Sequence, residues 1–100
     1  MPEFANPFTG KIDKKLSKEE LAQALRFAIA AEYEAVQIYQ QIAEATDNLK
    51  VKAVMLDVAN EEKVHAGEFL CLLGNVDAEE EKFYREGFTE VEKLVGKKID

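Results

Sequence analysis

Glu32, Glu62 and His65 are the residues of this sequence whose types and spacing could bind a metal and do redox chemistry on it. Glu62 and His65 stand three apart in Glu61-Glu62-Lys63-Val64-His65. The apolar seam around them runs Val51, Val54 or Met55, Val58, then Glu62 and His65, then Phe69 and Leu72. Steps of three or four residues are the spacing of one helix face. Glu32 interrupts an earlier seam of the same kind: Leu21, Leu25, Ala28, Glu32, Ala35 or Val36, Tyr39, Ile42. Two carboxylates and an imidazole thus fall where the pattern asks for core residues. A carboxylate in such a place is normally paired or bound to a metal, because burying it bare is costly.

The elements that must position these groups are helices. Ser17-Lys18-Glu19-Glu20 is a capping box, with Ser17 at the N-cap and Glu20 reaching back. The helix after it lacks Gly and Pro, is rich in Ala, Glu, Gln and Leu, and can run to about Thr46. Asp47 or Asn48 can cap a second helix, expected to run to about Leu73 and to stop at Gly74-Asn75. Asp77-Ala78-Glu79-Glu80 is a further cap signal. It opens a shorter third helix with Glu80 or Phe83, Tyr84, Phe88, Val91 and Leu94 or Val95 on one face, weakened at Gly87 and ended at Gly96. The fold expected is all-α: an antiparallel two-helix hairpin plus a shorter third helix. Residues 1–16, which hold Pro2, Pro7, Phe4 and Phe8, read as an irregular arm; 17–96 form the helical domain; 97–100 are a short basic tail.

Two long helices joined by a short turn pack antiparallel. Glu32 lies about fifteen residues before the turn and Glu62 about fifteen after it, which places them at one level to within roughly 5 Å at the helical rise per residue. That is half of a known constellation. Carboxylate-bridged di-iron or di-manganese sites of four-helix bundles use a Glu from each of two helices and a Glu-x-x-His from each of the other two. His65 is the single histidine, so one chain supplies one half. Two chains related by a two-fold axis would supply both, dimerising into a four-helix bundle with the metals between them. Carboxylates are hard donors that can bridge two cations, and imidazole suits iron. In this arrangement Glu62 bridges, while Glu32 and His65 are terminal ligands. Tyr39, two turns beyond Glu32, could bond a ligand or pass electrons; a core tyrosine is the other reading. Glu34 is off the seam and could belong to an access path for cations, or be a solvated surface acid.

Composition narrows the classes. One hundred residues, roughly half apolar and a third charged, make one small helical domain with a thin core, to which association adds buried area. A net charge of −7 argues against nucleic acid and anionic membranes and suits cations. A single cysteine, Cys71, excludes an internal disulfide and a Cys-x-x-Cys motif, and its neighbours Leu70 and Leu72 mark it as a small buried residue. No apolar run has the length of a membrane span and no signal peptide is evident, so a cytoplasmic location is the default expectation.

Around Ala31-Glu32-Tyr33-Glu34, Tyr39 and Asn60-Glu61-Glu62-Lys63-Val64-His65-Ala66, the sequence resembles the ferritin-like superfamily, and more closely the encapsulated ferritins, over roughly residues 18–95. The resemblance implies ferroxidase activity, oxidising Fe(II) to Fe(III) at a di-iron centre shared by two subunits, with Glu32, Glu62 and His65 matching the ligands. It implies a homodimer assembling into a ring-shaped decamer that works inside an encapsulin nanocompartment and serves iron storage there. Manganese remains possible, since its preferences overlap with those of iron. Members reach the shell by a C-terminal targeting peptide or by fusion to the shell protein; Val95 to Asp100 does not read as such a peptide, which leaves room for a longer product. Two positions depart from the pattern. Ala31 stands where an acid often helps Glu34 form an outer metal site, and Ile38 stands where an aromatic often precedes the tyrosine.

Two other functions stay open beside the iron oxidase. One is a rubrerythrin-like peroxide reductase, which the lack of a four-cysteine electron-transfer domain disfavours as a self-contained enzyme. The other is a metal-free helical interaction or cargo module, which predicts no bound iron and little loss of assembly when Glu62 is replaced.

Overall fold

A computed structural model describes residues 15–97. They form three helices and no strand: α1 (Lys18–Glu44), α2 (Leu49–Val76) and α3 (Ala78–Val95). Residues 1–14 of the expected arm, and Lys98 to Asp100 of the basic tail, lie outside the described residues. None of the described helices is long and apolar enough to cross a membrane.

Each helix begins where a side chain can satisfy its free amides. Ser17 Oγ accepts from Glu20 N at 3.2 Å, and Ser17 N donates to Glu20 Oε1 at 2.9 Å, so the capping box closes on itself. Asn48 caps α2, its Oδ1 accepting from Lys50 N and Val51 N at 3.1 Å each. Asp77 caps α3 by accepting from Glu80 N at 3.2 Å. Gly96 ends α3 with φ 73°, the left-handed conformation that costs glycine least.

α1 and α2 pack as an antiparallel hairpin. The buried residues are Ala22, Ile29 and Ala43 on α1 and Ala59, Ala66 and Leu73 on α2. Ala59, Ala66 and Leu73 recur every seven residues, and Ala22, Ile29, half-buried Val36 and Ala43 do the same. A heptad repeat keeps one seam facing its partner along the whole length of a helix pair. This corrects the seam expected from hydrophobic spacing in part: Leu21, Ile42, Val51 and Leu72 are exposed in the single chain, Leu72 by 51%, while Leu25 and Phe69 pack against the core and Val36 lies on the observed seam. Alanines occupy the true seam because small side chains let the backbones approach closely. The larger apolar residues flank it on an open face.

A second correction concerns Gly74. α2 does not stop there; it continues to Val76 and is capped at Asp77, whose N–H donates to Leu73 O at 2.8 Å. A Cβ on Gly74 would meet Glu81 Oε2 of α3 at 3.0 Å. The glycine therefore lies inside α2, near the flexible Glu81 side chain, and does not terminate the helix. One residue, Asp77 (φ −135°, ψ 91°), separates the two helices and turns the chain. α3 then leaves the hairpin as an arm with no buried residue; Phe88 is 67% exposed and Leu94 86%. The radius of gyration of 17.1 Å exceeds the about 13 Å of a compact chain of this length, and the arm is the reason. A third correction follows. Cys71 is exposed, not buried, because the seam passes through Ala66 and Leu73 and α3 does not cover the flank between them.

Candidate metal centre

Glu32 is carried by the middle of α1, and Glu62 and His65 by the middle of α2. Ala59 and Ala66, buried before Glu62 and after His65, hold α2 close to α1 at this level. The three side chains meet across the hairpin. His65 Nδ1 lies 3.7 Å from Glu32 Oε2 and 3.7 Å from Glu62 Oε2. One ligand atom from each residue falls within 4.8 Å of the others. The level matching expected from the lengths of the two helices is what the fold delivers.

The group sits at the flank of the seam. The Glu32 and Glu62 side chains are 17% and 18% exposed, while the His65 ring is 46% exposed. At 3.7 Å the ring nitrogen is too far from either oxygen for a hydrogen bond. Glu32 Oε2 is buried and has no hydrogen-bond partner. An unsatisfied carboxylate oxygen is expensive in such a place. The chemistry of the donor set fits a divalent cation: two hard oxygen donors with negative charge and one neutral nitrogen donor converge on a common gap.

The other two sequence-derived candidates stand apart from this group. Tyr39 is half-buried on α1 two turns further on, and Glu34 is exposed on the same helix. Hydrophobic spacing missed Ala59 and Ala66, whose seven-residue spacing was the available signal. It also missed a polar cluster at the elbow. There Arg26 Nε donates to Glu80 Oε1 at 2.9 Å and to Oε2 at 3.1 Å. Tyr84 Oη donates to Glu80 Oε2, and Arg26 Nη2 lies 3.8 Å from Asp77 Oδ2. Nothing in local spacing links positions 54 residues apart. The Arg26 guanidinium, bonded to Glu80, holds that carboxyl below its ordinary range. The bond to Glu80, with burial second, pushes the Tyr84 hydroxyl up to about 12.

Comparison with known proteins agrees with the geometry. A family profile described as Rubrerythrin matches residues 23–98. A ferritin-like–encapsulin shell fusion protein of Pyrococcus furiosus is 45% identical over 91 residues, covering 91% of this chain and 26% of that protein. An encapsulin nanocompartment cargo protein of Myxococcus xanthus is 38% identical over 80 residues, covering 80% of this chain and 61% of that one. The chain thus spans about a quarter and about three-fifths of the lengths of these two relatives. The crystal structure of the encapsulated ferritin domain from Pyrococcus furiosus superposes with a TM-score of 0.85 at 44% identity, covering 94% of this chain and 96% of that one. The chain belongs to the rubrerythrin family of ferritin-like proteins, and within it to the encapsulated ferritins.

Proposed function

We propose that this chain is a ferroxidase subunit that acts as cargo of an encapsulin compartment in the cytoplasm. The observation that carries the reading is the convergence of Glu32, Glu62 and His65, with Glu32 Oε2 buried and without a hydrogen-bond partner. Its substrate is Fe(II), which gives up one electron per ion to dioxygen. Glu62 would be shared between the two ions, and Glu32 and His65 would each hold one of them. Two copies of the chain, paired on the open apolar face beside His65, bring four carboxylates together and balance the charge of two divalent cations. Glu34 would belong to the entry path for cations, and Tyr39 would hydrogen-bond a ligand or take part in electron transfer. The dimers assemble into a ring-shaped decamer. The names of the two relatives, one fused to an encapsulin shell and one an encapsulin cargo protein, support a shell partner for this chain.

The test is aerobic addition of Fe(II) to the purified chain, to Glu62→Ala and to a protein-free blank, following Fe(III) by absorbance. Oxidation well above the blank that Glu62→Ala loses is expected. A wild-type rate equal to the blank sinks the reading. The rubrerythrin profile favours a second arm with hydrogen peroxide under anaerobic conditions. Faster Fe(II) oxidation there than with dioxygen would move the assignment to a peroxide reductase. Metal removal adds a check on pairing. Chelator should weaken the dimer, because close carboxylates repel without cations, and Fe(II) or Mn(II) should restore it.

A further inference from the structure

The start of α3 carries the same box pattern as the start of α1, an acceptor at the N-cap and a glutamate three residues on. At Ser17 the box closes locally, with Glu20 accepting from the cap's own amide. At Asp77 only half of it forms. Asp77 Oδ1 accepts from Glu80 N, but the Asp77 amide is already committed to Leu73 O. The Glu80 carboxylate turns instead to α1, where it takes a two-pronged bond from Arg26 and a third bond from Tyr84. Its side chain is 12% exposed in an arm that otherwise buries nothing. Among the described residues the α3 backbone contacts α2 and does not reach α1. Of the polar contacts among the described residues, the Arg26 bonds join α1 to the elbow and the arm.

We propose that Arg26, Glu80 and Tyr84 form a latch that sets the angle of α3 against the hairpin. A one-residue elbow leaves two backbone dihedrals to define that angle. A guanidinium–carboxylate fork fixes orientation as well as distance. The latch therefore holds the apolar stripe of α3 (Phe88, Val91, Val95) in one direction, from which a second copy would cover it. This last consequence rests on the proposed assembly; the angle itself does not.

The test separates the two. Spin labels on exposed Lys18 and Lys93, in the full chain with Cys71→Ser and diluted with unlabelled protein, report the distance between α1 and the arm. Arg26→Gln is the decisive variant, because it leaves the α3 cap intact and is half-exposed on another helix. Glu80→Gln and Tyr84→Phe give two further cuts. A narrow distribution in the parent, broadened severalfold by Arg26→Gln and by Glu80→Gln and less by Tyr84→Phe, with helix content unchanged, supports the latch. Loss of large assemblies by light scattering in the same variants supports its role in pairing. Broadening with the assembly mass unchanged keeps the latch and removes α3 from assembly. A distribution that Arg26→Gln does not change overturns the proposal, whatever the mass.

Discussion

The hairpin and the arm are both helices with an apolar face, yet only the hairpin closes a seam of its own. Its buried positions are mostly alanines, while the arm presents Phe83, Phe88 and Leu94 and buries none of them. Large apolar side chains do not by themselves make a core. Burial follows from two backbones close enough, and parallel enough, to exclude water along their length. A heptad of small residues provides that for α1 and α2. α3 leaves at an elbow after Asp77, so its stripe waits for a surface from outside the chain.

The largest effect that could break this contrast is Leu73→Ala. Leu73 is 1% exposed at the end of the seam, among Ala22, Ile29 and Phe69. Its truncation should cost about 2–5 kcal/mol in urea unfolding. Ala66→Leu should cost about 1–3 kcal/mol by pushing the helices apart, and it should also lower the Fe(II) oxidation rate, since the alanine follows His65. A stable, fully active Ala66→Leu would mean that close approach is not what brings the site together. Ser17→Ala should cost about 1 kcal/mol through the lost cap, read as a lower unfolding midpoint. At the small end, Phe88→Ser should change the stability of the single chain by under about 0.5 kcal/mol, while reducing assembly in size-exclusion chromatography.

Acid and base sharpen the comparison at the elbow. Glu80 is held below its ordinary range by Arg26, so its contribution is present above the usual carboxylate value and is lost as pH falls through the lowered one. Tyr84 is raised from 10.0 to about 12, so its contribution is complete below the unfolded value and disappears as pH rises through about 12. Titration of the label distance between the hairpin and α3 should widen at both extremes, with hairpin helix content steady over the same range. Loss of the hairpin before the elbow would mean that the arm is the more firmly held of the two.

Much of the candidate site was legible because helix geometry is local. Counting residues from Glu32 to the turn near Asn48, and from there to Glu62 and His65, places three groups at one level, and the fold brings them together at the flank of the seam. The caps at Ser17, Asn48 and Asp77 and the end at Gly96 were equally local, each resting on a side chain or a glycine within a few residues. The seam itself was misread by one helical position. Hydrophobic spacing gives weight to Leu and Val and passes over alanine, and alanines line most of it.

The sequence by itself thus determined three helices, their starting caps, the matched level of two carboxylates and an imidazole, and the family. Those properties depend on contacts within a turn or on counting residues along a helix. Only the tertiary structure decided which helix faces meet, that α2 runs past Gly74 to Val76, that Cys71 is exposed, and that Glu80 turns from its cap to Arg26. Each of these depends on how far apart two helices lie and at what angle. That is a balance among small-residue packing, a one-residue elbow and a bond between positions far apart in the chain, and no local pattern encodes it.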